Sequence, residues 1–166
     1  MLANKLNYGD TIGVVGVSNS LKIGNLYDDF ARAEELLKSK GFKIKRAKNV
    51  LEDYYGSAGT REQKAEEFMN MFKDDEVKAI ICLNGGETCN TFIELLDYEE
   101  IKRHPKILVG YSDIMEDILK EYTKEYDFPI IKCNDFGHKI VNSIIPIGGN
   151  VKIDNNEVKI IGEFLN

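Results

Sequence analysis

The chain has 166 residues, 43% of them hydrophobic, and a net charge of −6, which fits one compact domain with a real core. The acidic balance weighs against a nucleic-acid backbone or an anionic membrane as main partner, because both call for clustered Lys and Arg. No apolar run approaches the roughly 20 residues that span a bilayer, and MLANKLNYGD at the start lacks a signal-peptide pattern.

TIGVVGVS (11–18) is a short β-branched run ending in polar residues, which reads as a buried strand followed by a loop. In DDFARAEELLKSKG (28–41), Phe30, Ala33, Leu36 and Leu37 share one helical face, and Gly41 stands where a left-handed cap is wanted. FKIKRA (42–47) alternates and is less apolar, as an outer strand would be. NVLEDYYGSAG (49–59) is polar and glycine-containing, a loop. Thr60 and Gln63 then match a capping box opening a helix to about Phe72, with Ala65, Phe68, Met69 and Phe72 facing inward.

VKAIICL (77–83) is almost wholly apolar, as a central parallel strand covered on both faces should be. NGG (84–86) turns the chain into a helix near 90–97, with Phe92, Ile93, Leu95 and Leu96 on its buried side. Pro105 precedes the strand KILVG. A helix follows at about 114–126, and Pro129 opens the short strand PIIKC (129–133). The tail, SIIPIGGNVKIDNNEVKIIGEF, sets strands beside GGN and DNN turn signals and reads as an antiparallel hairpin.

Strands alternating with helices through residue 133 imply an α/β fold, a flavodoxin- or Rossmann-like parallel sheet flanked by helices with right-handed crossovers. In such folds the loops at the carboxyl ends of the strands form the site. Ser18, Gly85, Gly86, Ser112 and His138 all follow the carboxyl end of an expected strand and so belong to one edge. His104, before Pro105 at a strand's amino end, belongs to the opposite edge.

Ser112 lies in GYSDI, a strand-to-helix turn. There a nucleophilic serine is exposed and the next amide, of Asp113, can hold an oxyanion. The second glycine of the usual G-x-S-x-G elbow is missing, and helix capping explains Ser-Asp equally well. His138, in CNDFGHK, follows the strand PIIKC. The intervening helix and strand return the chain to the same edge, where neighbouring strands stand roughly 5 Å apart and an imidazole can reach a serine oxygen. NGGET (84–88) offers paired glycines whose N–H groups can approach an anion or carbonyl closely. Its spacing matches neither dinucleotide nor P-loop motifs, so a nucleotide cofactor is not expected. Cys82, Cys89 and Cys133 show no metal-type pairing and point to reduced thiols in a cytoplasm, so no metal is expected either.

The chain resembles the LD-carboxypeptidase family of serine peptidases, which includes the microcin C immunity peptidases. The resemblance is carried by LNYGDTIGVVGVS near the start, by VKAIICLNGGETCNTFIELLDYEEIKRHPKILVGYSDI, and by EDILKEYTKEYDFPIIKCNDFGHKIVNSIIPIGGNVKID over roughly 116–154. It implies Ser112 as nucleophile, His138 as general base, and an oxyanion hole from the N–H groups of Gly86 and Asp113, with Gly85 and Glu87 beside them at the substrate. It also implies a murein peptide or a microcin-like peptidyl-adenylate as substrate, a homodimer, and an N-terminal α/β domain over 1–114. Family members are longer, however. The segment that completes their second domain and supplies a triad glutamate has no counterpart here, so 115–166 reads as a shortened, β-rich remnant. Glu87, Glu116 and Asp135 are local acids, none of them placed against His138. The alternative expectation is therefore an inactive relative that binds ligands or partners without turnover.

Overall fold

The computed structural model describes residues 3–110, 150–154 and 157–161. Strand β1 (Thr11–Val15) is the organising element. Its residues Ile12, Val14 and Val15 are all buried, as a strand covered on both faces requires. Around it the described residues form a four-stranded parallel sheet in the order β2-β1-β3-β4, with β2 (Lys43–Arg46), β3 (Val77–Cys82) and β4 (Ile107–Val109). Ile12 stands opposite Ile44 on one side and Ala79 on the other, while Ile81 stands opposite Val109. The polar alternating strand is the outer one, and the apolar VKAIIC is central, as its composition predicts.

The connections are helical. Helix α1 (Leu26–Ser39) lies against β2, and α2 (Arg61–Lys73) lies against β1, β3 and α3 (Tyr98–Arg103). Thr60 and Gln63 close the expected capping box, each side chain bonded to the other's backbone. Phe68, Met71 and Phe72 of α2 pack with Val14, Ile80, Cys82 and Phe92 in the larger core. A smaller cluster of Leu6, Ile12, Phe42 and Ala79 receives Leu37 from α1.

Two expectations change. On α1 the inward stripe is Phe30, Glu34 and Leu37, whereas Ala33 and Leu36 face solvent and Leu36 is 59% exposed. Glu34 enters the stripe because Arg46 and Lys38 bind its two carboxylate oxygens, both at 2.7 Å, which neutralises its charge. The helix expected at 90–97 is two 3₁₀ turns, Cys89–Thr91 and Ile93–Leu95, followed by α3. Phe92 and Ile93 are buried there as expected, but Leu95 is exposed, because the tighter turns rotate it off the core.

In the tail, β5 (Asn150–Asp154) pairs antiparallel with β6 (Glu157–Ile161), the hairpin expected from the DNN signal. The helix at 114–126, the strand PIIKC, the domain boundary at 114, and the side chains of Ser112, Asp113 and His138 lie outside the described residues.

Candidate active site

Three loops meet at the carboxyl edge of the sheet: 16–20 after β1, 49–60 before α2, and 84–91 after β3. Ser18 and the Gly85–Gly86 pair, expected on one edge, are in contact there. The backbone N–H of Thr88 donates to Ser18 Oγ at 3.2 Å, and a Cβ on Gly86 would fall 2.6 Å from that oxygen. The same Cβ would stand 2.2 Å from Asn19 Oδ1, and Gly86 sits at φ +154°. Glycine is therefore required twice, for backbone conformation and for the close approach of two loops.

The middle loop is tied to its neighbours by buried polar groups. Asn49, 2% exposed, donates through Nδ2 to Gly16 O at 2.6 Å and Ala58 O at 3.1 Å. Ala58 N donates to Ser18 O at 2.8 Å. The strongest tie is Lys64, on the inward face of α2 and 1% exposed. Its Nζ donates to Thr88 O at 2.8 Å, Thr91 Oγ1 at 3.0 Å, Thr88 Oγ1 at 3.1 Å and Ser57 Oγ at 3.3 Å, and stands 5.9 Å from the centre of the Phe92 ring. A buried ammonium wrapped in oxygens strengthens each of those bonds, because no water competes for it. Lys64 thus anchors the turn that follows Gly86. The sequence does carry a signal for it: Lys64 precedes Phe68 and Met71 by four and seven positions, which places a charge in an apolar stripe.

The turn has a receptive face. The N–H groups of Gly85, Gly86 and Glu87 make no hydrogen bond to a described residue. Glu87 itself is exposed and forms no ion pair among the described residues, so its carboxylate is not part of the buried network. Asn84, the last residue before the glycines, is 7% exposed, with neither side-chain amide atom hydrogen-bonded to a described residue. On the neighbouring strand β4 ends at Val109, and Gly110 follows it.

His104 is on the opposite edge, as expected. Its Nε2 lies 3.1 Å from Glu100 and its Nδ1 4.0 Å from Asp75, so it belongs to a surface charge cluster. A hollow lined by Gly9, Asp10, Thr11, Lys43 and Glu76 is also at that amino edge. Cys82 and Cys89 are buried free thiols. Among the described residues no group of His, Cys, Asp and Glu is arranged to hold a metal, and no helix is long and apolar enough to cross a membrane.

Residues 12–124 match the LD-carboxypeptidase N-terminal domain. The microcin C7 self-immunity protein MccF of Escherichia coli is 34% identical over 113 residues, which is 68% of this chain and 33% of that protein. The Bacillus subtilis (strain 168) protein named "Probable murein peptide carboxypeptidase" is 35% identical over 109 residues, 66% of this chain and 33% of its own length. Among solved structures, MccF in complex with aspartyl sulfamoyl adenosine superposes with a TM-score of 0.67 at 31% identity, covering 74% of this chain and 37% of that one. The chain thus spans about a third of the length of the curated relatives it matches.

Proposed function

The chain belongs to the LD-carboxypeptidase family, and from that premise we propose that it is a serine-type hydrolase cleaving a peptide or amide bond through an acyl-enzyme. In this reading Ser112 Oγ attacks the carbonyl while His138 takes its proton. The tetrahedral oxyanion is held by the N–H groups of Gly86 and Asp113, and His138 returns the proton to the leaving amine. Water, deprotonated by the same imidazole, then releases the acid and frees the serine.

One observation carries the reading. The glycine turn at the carboxyl end of β3 has N–H groups that make no hydrogen bond to a described residue, and the adjacent strand β4 delivers the chain to Gly110 at that edge. Ser112 follows Gly110 by two residues in the sequence. The substrate class is a small peptide, either a murein peptide or a peptidyl nucleotide, which the names of the relatives and the nucleoside bound to MccF support. We place the activity in the cytoplasm, where Cys82 and Cys89 stay reduced, and propose a homodimer as the active assembly.

A fluorophosphonate probe tests the serine directly. Labelling is expected in the wild type and in His104→Ala, and is lost in Ser112→Ala. An unlabelled wild type overturns the hydrolase reading. Unlabelled protein that still binds peptide favours the second reading, a binding protein without turnover. That alternative has its own support: no residue of the chain matches the family's triad glutamate, and loss of the orienting acid costs about 10⁴ in turnover.

A further inference from the structure

Two adjacent glycines are a poor mount for an oxyanion donor. With no Cβ on either residue, the peptide plane joining Gly85 to Gly86 can rotate at little steric cost. A half-turn would swing the N–H of Gly86 away and put the C=O of Gly85 in its place, a dipole of the wrong sign for a developing negative charge. The chain is fixed on both sides of the pair: Leu83 N donates to Val15 O at 3.1 Å, and Thr88 N donates to Ser18 Oγ at 3.2 Å. Against the glycines themselves lies Asn19. A Cβ on Gly86 would fall 2.2 Å from Asn19 Oδ1 and 2.3 Å from its Cγ. A carbon–carbon bond is about 1.5 Å, so the carboxamide lies within roughly 4 Å of Gly86 Cα, on the side where any other residue carries its own side chain.

The backbone of Asn19 is held in turn. Ala58 N donates to Ser18 O and Ser20 N to Gly56 O, both at 2.8 Å, which pairs Asn19 with Ser57 in an antiparallel bridge. Ser57 Oγ lies 3.2 Å from Thr88 Oγ1, closing the ring of loops around the turn. Asn19 and both glycines are half-buried, so the contact is at the surface of the site and not in the core. Ser18 Oγ, 2.6 Å from the same Cβ position, backs it from the buried side. We propose that Asn19 is a positioning residue: its carboxamide fills the empty side-chain space of Gly86 and keeps the Gly86 N–H aimed at the reacting carbonyl. The role is one of shape, since packing against Cα is what resists rotation of the peptide plane. The inference rests on the hydrolase reading, in which that N–H holds the oxyanion, and adds to it the side chain that keeps the donor in place.

The test follows labelling of Ser112 by a fluorophosphonate in the full chain, because the phosphonyl oxygen takes the oxyanion position during attack. Asn19→Ala is expected to slow labelling at saturating probe about tenfold, a part of the roughly 10²- to 10³-fold lost with a whole oxyanion donor. The probe concentration giving half the maximal rate should stay within about twofold, and the urea midpoint should hardly move, as expected of a half-exposed side chain. Asn19→Leu, alike in shape but without the amide, is expected to recover most of the lost rate. Labelling of Asn19→Ala at the wild-type rate overturns the inference, and so does Asn19→Leu labelling as slowly as Asn19→Ala. A loss seen only in the half-saturating concentration also overturns it, since that would make Asn19 a binding residue. If Asn19→Ala does not fold, Asn19→Ser is read by the same criteria. A second measurement needs no chemistry: Gly86→Ala should cost clearly less stability in an Asn19→Gly background than in the wild type, and equal costs overturn the inference. A wild type that does not label removes the hydrolase reading and this role with it, whereas a labelled wild type with an equally labelled Asn19→Ala removes the role alone.

Discussion

The two ends of the parallel sheet handle polar groups in opposite ways. At the amino edge, Lys45 pairs with Asp74 and lies 3.6 Å from Glu76, His104 lies beside Glu100, and Lys106 donates to Val77 O at 2.7 Å. Most of these groups reach water, which can replace a lost partner. At the carboxyl edge, Lys64, Asn49 and Ser18 are buried, and the bonds described above join them to backbone groups and hydroxyls rather than to carboxylates. The lesson concerns shape. Exposed charge pairs contribute little singly and rearrange easily, but a buried network without water holds loops in one arrangement. The edge proposed to bind substrate is the one that cannot relax.

That contrast is broken or sharpened by substitution. The largest effect is expected from Gly86→Ala, which drives a Cβ to within 2.2 Å of Asn19 Oδ1 at a backbone angle suited to glycine. About 4 kcal/mol of stability should be lost, measured by urea unfolding, together with probe labelling at Ser112. A loss below about 1 kcal/mol would mean the two loops are free to separate, and the contrast fails. Next comes Lys64→Met, which strands oxygens of Ser57, Thr88 and Thr91. A loss of about 3 kcal/mol is expected, insensitive to salt because the site excludes water. Lys64→Arg should recover part of it.

The amino edge should respond to pH and salt instead. The Lys45 ammonium beside Asp74 holds its carboxyl below the usual aspartate range. Away from that edge, beside the carboxyl end of β2, burial alone would raise the Glu34 carboxyl, but hydrogen bonds from Arg46 and Lys38 outweigh it and hold that group low as well. A carboxyl with a lowered folded pKa stabilises the fold above its unfolded pKa, and that stability is lost as pH falls through the folded value. Unfolding free energy should therefore decline below about pH 4. Asp74→Asn should flatten this acid limb while costing only about 0.5 kcal/mol at neutral pH, less still in high salt. The smallest effect belongs to Leu36→Ala on the exposed face of α1, expected to stay within about 0.5 kcal/mol. A loss near 3 kcal/mol would show that Leu36 is covered after all, as its apolar spacing suggested.

Legibility from sequence followed the same division. Residues whose role depends on local pattern were readable: the capping box of Thr60 and Gln63, the apolar run of β3, the outer character of β2, and the turn before β6. The α1 stripe misled because hydrophobic spacing alone cannot register that a glutamate is neutralised by Arg46 from a strand further along the chain. At the site, Gly85 and Gly86 were visible as a strand-to-helix turn. Lys64 and Asn84 were passed over, since burial is not a property of the residue type and polar residues are usually exposed.

What the amino-acid order determined by itself was the alternation of strands and helices, and with it the placing of Ser18 and the glycine pair at one edge. Chain connectivity through short crossovers leaves few other arrangements. What only the tertiary structure decided was which polar side chains lose their water there. Lys64 became an anchor because loops distant in sequence closed over it, and burial alone separates that role from ordinary surface polarity.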